Sequence, residues 1–413
     1  MSHHFAQLVM QQIGVLAKIS DESGVITRTF ASPGMRRANA QVATWMRGAG
    51  METRVDAIGN LIGHYAGQKA AGKVLLLGSH LDTVRNAGKF DGPLGVLLAI
   101  ACVENLRHKK LRLPFAVEVA GFADEEGVRY QSAYLGSKFL AGCFEARDLK
   151  RKDASGISMA AAIRNFGGDP AKIKAVKSGP KNVLGYVEVH IEQGPVLQTE
   201  KLALGIVTGI AGQTRVRISF RGRAGHAGTT PMNLREDALC AAAEFVLAVE
   251  KLARTTPGLV ATVGHIKAEP GASNVIPGEV ELSLDLRHAK DPVRKAAHSK
   301  LEEVSFRIAA RRKIKLDTEV VQETPATTCS KELSAVLEQS VKRSQGRSIR
   351  LTSGAGHDAA VMSRITPSAM LFIRCKDGIS HHPDESVKVQ DVRMAFEVLN
   401  DFILRLAKLH ERV

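Results

Sequence analysis

Aromatic residues, cysteines and long apolar runs are all scarce in this 413-residue chain. Only 5% of the residues are Phe, Tyr or Trp, and the five cysteines are scattered, with no CxxC pair. The sequence therefore argues against a thiolate metal site or a redox motif and favours buried free thiols. It contains no apolar stretch of about 18 residues and no signal-peptide pattern. We expect a soluble, cytoplasmic protein with no membrane partner.

The charge balance is strongly basic, with 57 Lys and Arg residues against 42 Asp and Glu residues, a net charge of +15. Part of the excess lies in three short clusters: RHKKLR (107–112), KRK (150–152) and RRKIK (311–315). Such clusters raise the question of nucleic-acid binding. They lack interleaved aromatic residues and match no nucleic-acid-binding module. We expect a solvated basic surface that attracts anions, and no nucleic-acid partner.

Apolar periodicity predicts an α/β domain at the start of the chain. Helices are predicted over residues 5–20, 33–48 and 94–108, and strands over KVLLLGSH (73–80) and FAVEVAGFAD (115–124). A strand, a helix and a second strand in this order indicate a parallel sheet covered by helices. Sites in such sheets gather at the carboxyl ends of the strands, where His80, Asp91 and residues 124–126 lie.

A different pattern begins near residue 211. Strands are predicted at 214–223, 259–268, 278–287 and 313–321, and helices at 235–253 and 291–312. This order is that of a ferredoxin-like α+β domain. After it, a helix over 331–344, a strand over 369–375 and a helix from about 391 resume the first pattern. We therefore predict a catalytic domain of residues 1–210 and 329–413, interrupted by a smaller domain of residues 211–328.

Five short segments combine histidine or carboxylate residues with strand ends or turns: HLD (80–82), FDG (90–92), DEEG (124–127), HIEQG (190–194) and GISHHPDE (378–385). Taken singly, each could be a capped turn, a solvated face or a core histidine. Taken together, imidazole and carboxylate ligands without thiolate suit Zn, Mn or Co, and a carboxylate between two ions can bridge them. The paired glutamates of DEEG could serve a metal and a reacting water separately.

Seven motifs in order carry a resemblance that covers nearly the whole chain. They are GSHLDTV, GKFDGPLGV, DEEGVRY with LGS, HIEQGPVL, GRAGHAGTTPM, SNVIPGEVELSLDLR, and SGAGHDA with DGISHHPDE. This set resembles the two-metal amidohydrolases that include allantoate amidohydrolase, N-carbamoyl-L-amino acid hydrolase and β-ureidopropionase, within the aminoacylase and carboxypeptidase superfamily. The resemblance implies a zinc-peptidase-like α/β catalytic domain with an inserted ferredoxin-like dimerisation or lid domain, and a homodimer.

The resemblance also implies a cofactor of two divalent ions, Zn or Mn, in each subunit. Asp91 would bridge the two ions. His80 and His190 would complete one site, and Glu126 and His381 the other.

Two further roles follow from the same resemblance. Glu125 would be the general base that takes a proton from water and passes it to the leaving nitrogen. Asp82 would orient the imidazole of His80 and raise its basicity. The chain departs from the family at one position, because His381 is followed by His382 where a serine is usual, so the histidine ligand could be either of the two.

Substrate contacts are implied at five positions. His226 resembles the histidine that reaches from the partner subunit towards the developing oxyanion. Asn274 and Arg287 resemble the pair that holds the substrate carboxylate, which suits a guanidinium fork. Gln193 and His357 are further expected contacts.

Within the family the motifs look most similar to allantoate amidohydrolases, which hydrolyse a ureido group with release of ammonia and carbon dioxide. N-carbamoyl-L-amino acid hydrolase and β-ureidopropionase are the alternatives, since all three act on a small ureido carboxylate. HIEQGPVL argues against an aminoacylase or dipeptidase. A non-catalytic binding protein of the same fold would be expected to lack the base or a ligand, and here every such position is filled.

Overall fold

The computed structural model describes residues 1–69, 72–176 and 178–411, which divide into two compact units. The first unit contains the residues up to Thr208 and from Thr328 onward, and the second is Gly209–Thr327. Among the described residues, no helix has both the length and the apolarity that crossing a membrane requires.

The described residues form twelve α-helices and fifteen strands. The helices are α1 (Ser2–Leu16), α2 (Pro33–Gly48), α3 (Pro93–His108), α4 (Leu135–Leu140), α5 (Met159–Phe166), α6 (Pro170–Ala175), α7 (Val196–Thr199), α8 (Ala238–Thr255), α9 (Asp291–Arg312), α10 (Lys331–Gln345), α11 (Asp358–Met362) and α12 (Val389–His410). The strands are β1 (Glu52–Val55), β2 (Leu61–Tyr65), β3 (Val74–His80), β4 (Ala116–Phe122), β5 (Val183–Ile191), β6 (Leu204–Ile210), β7 (Gly212–Arg221), β8 (Gly225–His226), β9 (Val260–Glu269), β10 (Val275–Ile276), β11 (Glu279–His288), β12 (Lys315–Thr324), β13 (Thr327–Thr328), β14 (Arg350–Ser353) and β15 (Ser368–Ile373).

The large sheet of the first unit is mixed. Its strand order is β1-β2-β4-β3-β5-β15-β6-β13, with β14 paired to β6. The central strands β4, β3, β5 and β15 run parallel, as predicted. The flanks differ from the prediction because β1 and β2 form an antiparallel hairpin and β6 is antiparallel to β15. A short turn can join only antiparallel neighbours.

The β3-α3-β4 unit positions the first part of the site. Strand β3 is buried along nearly its whole length, and α3 is apolar on every side and almost entirely buried. Helix α3 begins at Pro93, whose fixed φ suits the first helical position. The chain therefore leaves β3 after His80 and enters α3 at Pro93, so that the residues between them lie at the carboxyl edge of the sheet.

The first two helices show how side chains set helix ends. Helix α2 has the predicted bounds, and the hydroxyl of Ser32 caps its amino end. Helix α1 was predicted to reach residue 20 but ends at Leu16. The buried guanidinium of Arg28 donates to the carbonyl oxygens of Leu16 and Ile19, each at 3.0 Å, and satisfies carbonyls near the end of α1.

The second unit has the predicted order of strand, helix, strand, strand, helix, strand. Its four long strands form an antiparallel sheet in the order β12-β7-β11-β9. Numbered within the unit, this order is 4-1-3-2, the ferredoxin-like arrangement. Alternate residues of β7 and β11 are buried in one cluster with residues of α8 and α9.

Candidate active site

The polar side chains of the first unit meet at the carboxyl ends of three parallel strands. His80 is the last residue of β3, residues 124–126 directly follow β4, and His190 is the penultimate residue of β5. Asp91 lies in the turn before α3. His80, Asp91 and His190 are all buried. The parallel sheet thus brings together residues that lie far apart in the sequence.

One oxygen of Asp91 faces two imidazoles. Asp91 Oδ1 lies 3.4 Å from Nε2 of His80 and 3.0 Å from Nε2 of His190. The opposite ring nitrogen, Nδ1, lies 3.1 Å from the carbonyl oxygen of Asp82 in His80 and 2.9 Å from that of Ile191 in His190. A carbonyl oxygen only accepts, so each Nδ1 carries a hydrogen, and Nε2 is the nitrogen of each ring that faces Asp91.

The other oxygen of Asp91 faces the C-terminal segment. Asp91 Oδ2 accepts hydrogen bonds from Oγ of Ser380 at 2.7 Å and from Nε2 of Gln193 at 2.8 Å. Nε2 of His381 lies 3.3 Å from the same oxygen and 3.4 Å from Oε1 of Glu126. The two oxygens of this carboxylate therefore serve two separate sets of side chains.

Backbone conformation keeps these groups close. Gly92 has φ +81°, and a Cβ atom at this position would lie 2.5 Å from ring atoms of His80. Only glycine fits this combination of left-handed backbone and close approach. His381 also has a positive φ, +57°, which is uncommon for a residue with a side chain.

The neighbouring groups shift the proton affinities at the centre of the site. Burial acts to raise the pKa of Asp91, but the charge of His190 and hydrogen bonds from the histidines hold that pKa well below its usual range. Burial acts to lower the pKa of His80, yet Asp82 and Asp91 raise it well above its usual range. Positive charge beside Asp82 and Asp91 therefore stabilises these two buried carboxylates.

Glu125 and Glu126 differ in their surroundings although they are adjacent. Burial first, and then the charge of Glu126, raise the pKa of Glu125 well above its usual range. The carboxylate of Asp82 accepts the backbone N–H groups of Glu125 at 3.0 Å and of Glu126 at 3.2 Å. The same carboxylate lies 3.4 Å from Nδ1 of His80. Asp82 therefore fixes both the glutamate turn and the His80 ring.

The donor set fits two divalent ions that share Asp91. The ligand atoms of His80, Asp91 and His190 lie within 4.8 Å of one another, and so do those of Asp91, Glu126 and His381. Neutral imidazole nitrogens and carboxylate oxygens are ligands that Zn and Mn accept. Each of the two groups includes Asp91, whose oxygens are already divided between them.

Comparison with known proteins shows the family of this chain. Residues 76–405 match the peptidase family M20/M25/M40. The chain belongs to this family. It is 40% identical to a probable allantoate deiminase of Oryza sativa subsp. japonica (94% of this chain, 86% of the relative) and 40% identical to an N-carbamoyl-L-amino acid amidohydrolase of Geobacillus stearothermophilus (97% of each). A crystal structure of an amidase of the hydantoinase/carbamoylase family from Burkholderia multivorans has a TM-score of 0.92 at 30% identity and covers 97% of this chain and 98% of that one.

The family match, together with these relatives and the similar crystal structure, confirms the resemblance drawn from the seven motifs. The two relatives carry different substrate names at the same identity of 40%. Overall identity therefore does not rank the two substrates.

Three predicted substrate contacts of this M20-family chain lie in the second unit. The two-residue strands β8 and β10 pair His226 with Val275. The backbone carbonyl oxygen of Asn274 accepts the N–H of Ala227 at 2.9 Å, so His226 and Asn274 are neighbours. Arg287, near the end of β11, forms two hydrogen bonds to its neighbour two residues earlier in the strand, Asp285, at 2.9 and 3.0 Å.

His357 is buried against His190, and the two form a further group of potential metal ligands with Glu188. It is 1% exposed, its ring centroid is 4.4 Å from that of His190, and its Nε2 is 2.8 Å from Oγ of Ser353. Burial, together with the charge of His190, lowers the pKa of His357 well below its usual range. The described contacts of His357 thus suit a neutral ring that supports His190.

The structure separates the two consecutive histidines near the C-terminus. Nε2 of His381 lies near Asp91 and Glu126, whereas Nδ1 of His382 lies 3.6 Å from Asp384, and both histidines are exposed. Of these two histidines, only His381 belongs to a group of potential metal ligands among the described residues.

Sequence reasoning missed three residues at the site. Ser380 and Glu385 both lie within the quoted motif GISHHPDE but were assigned no role. Glu188, two residues before His190 on β5, accepts hydrogen bonds from Ser79 at 3.0 Å and from the N–H of Ala359 at 2.9 Å. The inward position of Glu188 on a buried strand is the signal that could have identified it.

Proposed function

We propose that this chain is a two-metal amidohydrolase that hydrolyses the ureido C–N bond of allantoate and releases ammonia and carbon dioxide. The observation that carries the proposal is the division of the Asp91 carboxylate between His80 and His190 on one side and His381, with Glu126, on the other. Two divalent ions bound there would polarise the ureido carbonyl and lower the pKa of water at the site.

Glu125 is the proposed general base. Its carboxylate accepts a proton from the attacking water and returns it to the nitrogen that leaves when the C–N bond breaks. Burial and the charge of Glu126 raise the pKa of Glu125, which makes this carboxylate a stronger proton acceptor than an ordinary glutamate. Asp82 holds the backbone of Glu125 in place and is not itself expected to transfer a proton.

The second unit is proposed to bind the rest of the substrate. Asp285 holds the guanidinium of Arg287 in one orientation. The Arg287 side chain therefore loses little conformational entropy when it binds a substrate carboxylate. Asn274 completes that contact, and the exposed His226 donates to the developing oxyanion. From the first unit, Gln193 is a further proposed contact, and His357 is proposed to act through the His190 ring against which it packs.

An M20-family homodimer is proposed, with His226 reaching the site of the partner subunit. Strand β9 is an edge of its sheet in the described residues, and it exposes Val260 (59%) and Ile266 (50%). Helix α8 exposes Leu247 (66%). An edge strand beside an apolar helix face is a surface that a second copy can cover by antiparallel pairing. Light scattering of the purified protein tests this, and a monomer at micromolar concentration would contradict it.

The proposed location is the cytoplasm. All five cysteines are free thiols, and three of them, Cys102, Cys329 and Cys375, are buried. Free thiols persist in a reducing compartment.

The second candidate substrate class is the N-carbamoyl-L-amino acids, favoured by the 40% identity to the Geobacillus stearothermophilus relative over 97% of both chains. The experiment measures ammonia release from allantoate, N-carbamoyl-L-amino acids and β-ureidopropionate, with chelated protein reloaded with Mn or Zn. Turnover of allantoate alone supports the proposal. Turnover of carbamoyl amino acids alone would keep the mechanism and replace the substrate, and no turnover with metal bound would contradict the proposal.

A further inference from the structure

We propose that Glu385 is a positioning residue that holds the bridging carboxylate of Asp91 and ties it to the segment that carries His381. This inference rests on the proposed two-metal function. Glu385 is not one of the proposed metal ligands. It acts on the ligand Asp91 through hydrogen bonds to the backbone.

The first observation is a pair of hydrogen bonds across 294 and 295 residues of sequence. A single oxygen of Glu385, Oε1, accepts the backbone N–H of Phe90 at 2.6 Å and that of Asp91 at 3.1 Å. Glu385 is buried, with 2% exposure, and so is Asp91. A buried N–H group that loses its acceptor is costly, so these bonds restrict the turn from which the Asp91 side chain projects.

The second observation is the packing of the turn against Glu385. A Cβ atom at Gly88 would lie 2.3 Å from Cδ of Glu385 and 2.4 Å from its Cβ. The absence of a side chain at residue 88 therefore lets the carboxyl group reach the amides of residues 90 and 91. The turn therefore contacts Glu385 in two ways, through the amide hydrogen bonds and through close packing at Gly88.

The third observation is that Glu385 belongs to the same short segment as the groups that face Asp91 Oδ2. The N–H of Glu385 bonds to the carbonyl oxygen of His382, and the N–H of Lys376 bonds to that of Ser386 at 2.8 Å. These bonds close the segment that presents Ser380 and His381. Glu385 thus sets the distance between the bridging carboxylate and the ligand histidine of the second ion.

The variants separate the acceptor from the volume of the side chain. Glu385→Gln keeps an oxygen at the position of Oε1, whereas Glu385→Met keeps the volume and removes the acceptor. Gly88→Ala leaves the carboxylate in the chain but displaces it from the amides. Asp169→Ala is the matched control, because it also removes a carboxylate that accepts two backbone N–H groups, but at the amino end of α6, which supplies none of the grouped ligands.

The experiment measures Mn content after dialysis and Mn affinity by calorimetry, together with kcat and KM on the best substrate. Loss of a side chain that supports metal ligands typically weakens metal affinity about 10- to 100-fold. We expect at least a tenfold loss for the second ion in Glu385→Met and Gly88→Ala, with a lower kcat and little change in KM. We expect Glu385→Gln and Asp169→Ala to stay within about threefold of the wild type.

The outcomes distinguish the two proposals. If Glu385→Met binds two ions with wild-type affinity, or if Glu385→Gln loses metal as severely as Glu385→Met, the positioning role is wrong while the two-metal function stands. A wild-type protein that binds no Mn or Zn would overturn the proposed function, and the role of Glu385 with it.

Discussion

Replacing Glu125 with glutamine tests the general base and leaves all five proposed metal ligands in the chain. The side chain keeps its shape, and the 3.0 Å hydrogen bond that holds this position uses the backbone N–H, which the substitution leaves unchanged. Loss of a general base typically costs a factor of about 10² to 10⁴ in rate. At 1.36 kcal/mol for each factor of ten, this is about 3 to 5 kcal/mol of transition-state stabilisation.

The burial of Glu125 places the expected loss in the upper half of that range. Its side chain is only 8% exposed, so bulk water and buffer bases have little access to replace the carboxylate. We therefore expect kcat to fall about 10³- to 10⁴-fold with a nearly unchanged KM.

The adjacent Glu126 provides the matched comparison. Glu126→Gln removes a proposed metal ligand, so it should lower bound metal to about one ion per chain, whereas Glu125→Gln should keep both. Steady-state kinetics and metal analysis of the two variants supply the test. The reasoning is refuted if Glu125→Gln retains more than about a tenth of the wild-type kcat, or if it loses metal as Glu126→Gln does.

Three further predictions concern separate parts of the chain. Gly92→Ala should lower both bound metal and the melting temperature, because a Cβ at φ +81° meets the His80 ring; unchanged metal content would contradict this. Arg287→Ala should raise KM for anionic substrates about 10- to 100-fold at nearly constant kcat, since a charge-assisted bond is worth about 1.5–3 kcal/mol; an unaltered KM would remove Arg287 from the carboxylate site. The Arg350 guanidinium lowers the pKa of Glu338 from 4.5 to about 2, so this pair stabilises the fold above about pH 4.5 and loses that contribution as the pH falls towards 2. Glu338→Gln should remove about 1 kcal/mol or less of that pH dependence in urea titrations, because Arg350 is exposed; identical pH curves for both proteins would contradict the shift.

Much of the fold could be predicted from the sequence because apolar periodicity reports burial. The bounds predicted for α2 and α9 agree with the structure, and the order of elements in the second unit was correctly predicted. The hairpin of β1 and β2 was missed because β1 is largely exposed and only four residues long, and it offers no apolar signal. Helix α1 ends early through contacts of Arg28, a residue 12 positions away from the last helical residue, and periodicity within the helix cannot report such contacts.

The site was predicted unevenly for a similar reason. Histidines at strand ends, such as His80 and His190, stand out against the apolar runs around them. Glu385 and Ser380 act through hydrogen bonds to residues nearly 300 positions earlier, and nothing in the local pattern marks that contact. The positive φ of His381, whose Nε2 lies 3.3 Å from Asp91, is equally invisible in the residue type.

The most direct test of the two-metal account is the anomalous diffraction of crystals equilibrated with Mn. The account predicts two peaks in each subunit, about 3.5–4 Å apart and on opposite sides of the Asp91 carboxylate. One peak should lie against His80 and His190, and the other against Glu126 and His381. A single peak, or peaks that do not share Asp91, would contradict it.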